Sequence, residues 1–160
     1  MPAVQPIPEG YHSITPSIVC KDAARAIDLY KQVFHATEKN RMEGPGGVIM
    51  HAELLIGDSV LMLCDEIPGM ATAPAPNAPA SFHLFVYLNN VDTVFDRAVQ
   101  AGCKVETPLQ NQFWGDRYGK VLDPFGYHWG LAQRVEDISE EEMHKRSQAF
   151  AEQMSKGASA

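Results

Sequence analysis

Ile14-Thr-Pro-Ser-Ile-Val-Cys20-Lys-Asp22-Ala-Ala-Arg-Ala-Ile-Asp-Leu-Tyr30-Lys-Gln-Val-Phe34 reads as a β-branched strand running into an amphipathic helix. Ala23, Ala26, Ile27, Tyr30 and Phe34 recur at three- and four-residue spacing, and Asp22 stands where an N-cap belongs. The same order returns further along: Ser81 to Leu88 is strand-like, Asn90 caps, and Val91, Val94, Phe95, Ala98 and Val99 make a helical stripe that stops at Gly102. Laying Asp22 over Asn90 sets an offset of 68 residues, and that offset also lays Thr15 over His83 and Met62 over Gly130. The chain is read as a divergent duplication.

Working outward, each strand–helix pair is followed by a meander. In the first half Thr37 to Met42, the turn Gly44-Pro-Gly-Gly47, Val48 to Ile56, the turn Gly57-Asp58 and Val60 to Cys64 alternate β-rich runs with Gly-containing turns. In the second half Lys104 to Thr107, Tyr118 to Leu122 and His128 to Ala132 do so, the last two split by Asp123-Pro-Phe-Gly126. The predicted fold is α+β: two tandem βαβββ modules, residues 11–66 and 81–135, forming a curved mixed sheet around a shared cleft. An Ala/Pro-rich linker fills 67–80, and 136–160 is a C-terminal helix and tail opened by Ser139-Glu-Glu-Glu142. Met1 to Gly10, with three prolines, reads as an extended arm.

A length of 160 residues suits one domain or two half-size modules. The net charge of −7 comes without a basic cluster, so nucleic acid is not expected as a partner. With no apolar run of about 20 residues and no basic, apolar leader, a soluble, cytoplasmic protein without a membrane partner is expected. Cys20, Cys64 and Cys103 stand singly beside apolar runs, which favours reduced, packed thiols over nucleophiles.

Strand alternation sorts the faces. Met50, Ala52, Leu54 and Ile56 take the helix side of their strand and leave His51, Glu53 and Leu55 opposite. Leu84, Val86 and Leu88 leave His83, Phe85 and Tyr87; Trp129 and Leu131 leave His128, Gly130 and Ala132; Ile14 and Ile18 leave Ser13, Thr15, Ser17 and Val19. The second face thus gathers Thr15, Ser17, His51, Glu53, Met62, His83, Phe85, Tyr87 and His128, a polar and aromatic set suited to binding a small molecule, with Trp114 closing one wall by stacking. His51 and Glu53, two apart on one face, have the spacing of a carboxylate-oriented imidazole. Asp116, Arg117 and Asp123 are assigned to turns and ion pairs.

The run Val19-Cys-Lys-Asp22 through Tyr30 and Phe34, the Gly57-Asp58-Ser59 turn, Val91-Asp92 and Asp123-Pro-Phe-Gly126 together resemble the vicinal oxygen chelate superfamily of glyoxalases, bleomycin resistance proteins and dioxygenases. His51-Ala-Glu53 with Phe113-Trp-Gly-Asp-Arg-Tyr-Gly119 is similar to a bacterial glyoxalase-like branch, and the similarity covers Tyr11 to Val135. The resemblance implies a metal tetrad at the positions of Thr15, Met62, His83 and Gly130, of which only His83 is a good ligand for hard or borderline ions. The expectation is therefore a binder of a small molecule, with no cofactor. The alternative is an isomerase or lyase in which His51, Glu53 and His83 are catalytic, moving a proton through an imidazole or a raised-pKa carboxylate, or in which a divalent metal sits at a non-standard site among His51, Glu53, His83 and His128. A third reading is an accessory protein assembled through its terminal helix. The resemblance also implies a homodimer.

Overall fold

The computed structural model describes residues 4–157, so the first three residues of the predicted arm and the last three of the predicted tail lie outside the described residues. The chain divides into two units: one runs to Ser81 and includes Pro124–Tyr127, and the other comprises Phe82–Asp123 and the chain from His128 onward.

The first unit is one βαβββ module. Strand β1 (Ser17–Cys20) leads into helix α1 (Ala23–Phe34), followed by β2 (Thr37–Glu43), β3 (Ile49–Ile56) and β4 (Ser59–Asp65). The sheet order is β1-β4-β3-β2, with β1 parallel to β4 and the other pairs antiparallel. The carboxylate of Asp22 accepts from the amide of Arg25 at 3.1 Å, as an N-cap should. Asp65, at the end of β4, accepts the amide of Ala23 through one oxygen and that of Ile49 through the other, both at 2.7 Å, and so ties helix, strand and sheet together. Helix α1 buries Ala23, Ala26, Ile27, Tyr30 and Val33 against Ile18, Cys20, Ala52, Leu54 and Leu63 of the sheet. Tyr127 closes the open side of β1, its hydroxyl donating to the carbonyl of Val19 at 2.7 Å and accepting from the Val19 amide at 3.0 Å.

The second unit repeats the plan with β5 (His83–Tyr87), α2 (Val91–Gln100), β6 (Lys104–Asn111), β7 (Asp116–Leu122) and β8 (His128–Arg134), in the order β5-β8-β7-β6. The duplication extends to a hydrogen bond: 68 residues after Asp65 and Ala23, the side chain of Gln133 accepts the amide of Val91 at 3.1 Å. Asn90, by contrast, makes no side-chain cap to the backbone and instead receives the Thr93 hydroxyl at 3.0 Å. Helix α3 (Glu140–Gly157) follows, with Ser139 Oγ accepting from the Glu142 amide at 3.2 Å. Among the described residues no helix is long and apolar enough to cross a membrane.

Three expectations are corrected. The first strand begins at Ser17, not Ile14, and Ile14 is 87% exposed; Pro16 has no N–H for a ladder, and the chain bends at Ser13 and Ile14. Met50 is exposed while Ile49 takes the buried place, because the β2–β3 register slips between Met42 and Glu43. Val99, counted in the buried stripe of α2, is 41% exposed.

Candidate functional site

In the first unit, β3 carries the histidine–carboxylate pair on the face away from α1. Glu53 lies beside Met62 of β4 in register, and Met62 in turn beside Ser17 of β1. Both oxygens of Glu53 are occupied: Oε1 lies 3.0 Å from His51 Nε2, and Oε2 accepts the hydroxyl of Tyr11 at 2.6 Å. The Tyr11 ring lies under the ammonium of Lys39, 4.6 Å from ring centroid to Nζ. Hydrogen bonds from Tyr11 and then His51 outweigh burial and hold the Glu53 carboxyl below its ordinary range, while the same bond pushes the Tyr11 phenol up. Glu53 is thus a doubly engaged carboxylate held low, whereas the isomerase or lyase reading allows either an imidazole or a raised-pKa carboxylate as the proton carrier. An acceptor carboxylate at Oε1 takes a hydrogen bond donated by Nε2–H of the imidazole.

In the second unit, alternation along β5 puts His83, Phe85 and Tyr87 on one face. Phe85 stacks on Tyr118 of β7 with ring centroids 5.5 Å apart and planes 8° from parallel, and it also meets Tyr87 at 5.2 Å and His83 at 6.2 Å. Gly130, between β5 and β7 on β8, makes this stack: a Cβ there would lie 3.0 Å from Phe85 and 3.1 Å from Tyr118. Trp114 joins at 5.9 Å from Tyr118. It is positioned by the tight turn Gln112 to Gly115, where Gly115 has φ +91° and packs so closely that a Cβ would fall 2.6 Å from the carbonyl oxygen of Glu136.

Asp116 holds the rim of this face. It is 2% exposed, and its Oδ2 accepts both the Tyr87 hydroxyl at 3.1 Å and the Trp114 indole N–H at 3.0 Å. Burial, and then the bond to Asp116, push the Tyr87 phenol up. Next to His83 in register, His128 Nδ1 lies 2.6 Å from Glu106, which also pairs with Lys120 at 3.3 Å. Burial works to raise the Glu106 carboxyl, and the bonds from His128 and Lys120 overcome it, leaving that group low.

The predicted residues thus fall into two groups. His51, Glu53 and Met62 are neighbours in the first unit; His83, Phe85, Tyr87, Trp114 and His128 belong to the aromatic face and its border in the second. Thr15 precedes β1, and its hydroxyl is engaged with the carbonyl of His12 at 3.0 Å. Tyr11, Glu106 and Tyr118 are not among the residues the sequence singles out, and Asp116, assigned with Arg117 and Asp123 to turns and ion pairs, instead accepts from Tyr87 and Trp114. Tyr118 alone carried a signal, since alternation along Tyr118 to Leu122 places it with Lys120. Among the described residues, no three or more His, Cys, Asp or Glu side chains gather as a metal-holding group. No disulfide joins Cys20, Cys64 or Cys103, and burial, with the charge of Asp123 beside it, pushes the Cys103 thiol up to about 12.

Residues 10–131 match the model of the Glyoxalase/Bleomycin resistance protein/Dioxygenase superfamily. An uncharacterized protein of Mycobacterium bovis is 42% identical over 137 residues, covering 82% of this chain and 89% of that protein. Among solved structures, TioX from Micromonospora sp. ML1 is similar with a TM-score of 0.63 and 26% identity, over 78% of this chain and 99% of that one. The fosfomycin resistance protein FosX from Listeria monocytogenes, complexed with Mn(II) and sulfate, shares the fold alone, with a TM-score of 0.60, 13% identity, and coverage of 82% and 95%. Paired βαβββ modules, a family match across both and a near relative along most of the chain lead to one assignment: this protein belongs to the glyoxalase/bleomycin resistance/dioxygenase superfamily.

Proposed function

We propose that the chain binds a small planar molecule on the aromatic face of its second unit and does so without the metal tetrad implied by its metal-dependent relatives. The observation that carries the reading is the state of the rings. Phe85 and Tyr87 remain 43% and 63% exposed although they sit in a contiguous stack with Tyr118 and Trp114. Single exposed apolar residues need no explanation, but a rigid patch of them, held by a buried carboxylate, offers a preformed stacking surface. The tetrad positions do not fit a divalent ion: Thr15 is engaged with His12, Met62 offers a thioether, and at Gly130 a Cβ would already press on Phe85 and Tyr118. The reading retains a cytoplasmic, homodimeric protein, as expected from the sequence.

Calorimetric titration with planar bicyclic aromatics tests it. Saturable binding that weakens at least about tenfold in Phe85→Ala supports the reading, in line with the loss of one to two ring contacts. Binding indifferent to Phe85 and Tyr118 refutes it.

A second reading rests on the 3.0 Å contact between His51 and Glu53. An imidazole with Nε2–H fixed on a carboxylate presents Nδ1 as a general base, the arrangement needed to move a proton beside a carbonyl. Solvent-deuterium exchange into carbonyl compounds, abolished in His51→Asn, is the expected signature of that isomerase or lyase chemistry.

A further inference from the structure

Asp116 is a buried carboxyl that makes no ion pair among the described residues. Its Oδ2 receives only neutral donors, Tyr87 and Trp114, and its Oδ1 is buried with no hydrogen-bond partner among the described residues. The nearby cations pair elsewhere: Arg117 with Asp92 at 2.6 Å, Lys120 with Glu106 at 3.3 Å, and Arg134, opposite Asp116 in register and close enough to act on Tyr87, with the exposed Asp137 at 3.0 Å. A buried carboxylate without a counter-charge is costly, so its retention needs a compensating gain.

The rim shows what that gain is. Because Tyr87 donates its hydroxyl proton inward to Asp116, its oxygen turns only lone pairs outward; Trp114 likewise spends its N–H inward. What remains on this face is the Tyr87 oxygen and the rings of Phe85, Tyr87, Trp114 and Tyr118 above the Asp116 carboxyl, with Lys120, on the same side of β7 as Tyr118, held by Glu106. Such a surface attracts a cation and offers little to an anion.

We infer that the ligand of this face carries a cationic nitrogen, an alkylated or protonated heteroaromatic or amine, received by the four rings and by the outward lone pairs of Tyr87. Asp116 acts as the specificity-determining residue beneath them. The inference deepens the planar-ligand reading and rests on it.

The test compares two probes of matched size, the N-methylquinolinium cation and the 2-naphthoate anion, titrated in about 0.5 M salt so that the overall negative charge of the chain is screened. The native protein should prefer the cation by about tenfold or more. Asp116→Asn, which keeps the shape and an acceptor oxygen, should bring the two probes close to parity, and Tyr87→Phe should narrow the gap by removing the outward lone pairs. If Asp116→Asn does not fold, Tyr87→Phe decides, since that side chain is mostly exposed and an unchanged preference there overturns the inference. Equal affinities that both depend on Phe85 overturn the cationic ligand and leave the aromatic face standing. Binding of neither probe through Phe85 removes both.

Discussion

The hydroxyl of Tyr11, outside both modules' strands, donates to Glu53 Oε2 at 2.6 Å and so fixes the carboxylate that orients His51. Removing that donor has a defined sign. In Tyr11→Phe the Glu53 carboxyl should titrate at higher pH than in the native protein, because the strongest of the bonds depressing it is gone. A group whose folded pKa is lowered stabilises the fold above its unfolded pKa and loses that contribution as pH falls through the folded value. Acid unfolding followed by circular dichroism should therefore show less Glu53-linked loss in Tyr11→Phe, and carbon NMR of the side-chain carboxyl should show the upward shift directly. An unmoved carboxyl resonance contradicts the assignment.

Asp65 and Gln133 occupy equivalent places in the two modules but not equivalent loads. Asp65 serves two backbone amides and Gln133 one. Asp65→Ala should cost about 2–4 kcal/mol and Gln133→Ala about 1 kcal/mol, scaled by the number and charge of the bonds lost. Urea denaturation of both variants checks the order, and a larger loss for Gln133→Ala is the adverse result.

That pairing also shows what was legible in the chain. The spacing of strand, cap, helix and meander repeats at a constant offset, so the fold class and both modules followed from periodicity, and the offset reappears as a matching hydrogen bond at each helix start. The aromatic face was legible for Phe85 and Tyr87 because alternation along one strand suffices to place them. Other features turn on contacts that no local pattern encodes. Tyr11 sits in a proline-rich approach with no period, and Met50 and Ile49 exchange places through a bulge set by the opposite strand. Pro124–Tyr127 joins the first unit through the hydroxyl of Tyr127 on Val19, a contact 108 residues long in sequence.

Gly115 is held between a left-handed backbone and the carbonyl of Glu136, with no room for a methyl group. Gly115→Ala should destabilise the protein by about 1–3 kcal/mol and displace Trp114, which the turn positions. A lowered midpoint in thermal unfolding together with altered Trp114 emission is the expected pair of results; unchanged stability would show that the turn relaxes freely.

Trp129 is 2% exposed and donates its indole N–H to Asp123 at 2.8 Å, whereas Trp114 belongs to the aromatic rim. Trp129→Phe should cost about 1–3 kcal/mol through the lost buried hydrogen bond and smaller volume, yet leave ligand binding unaltered. Since the chain has two tryptophans, this variant isolates Trp114 as the reporter. A stable Trp129→Phe protein with impaired binding would place the ligand elsewhere.

The most direct measurement is the NMR cross peak of the Trp114 indole N–H in Trp129→Phe protein, followed during titration with N-methylquinolinium. The peak should move saturably along with the ring resonances of Phe85 and Tyr118, and the response should vanish in Phe85→Ala at the same probe concentrations. A saturable titration in which the Trp114, Phe85 and Tyr118 signals stay still, or in which Phe85→Ala makes no difference, contradicts a ligand stacked on this face.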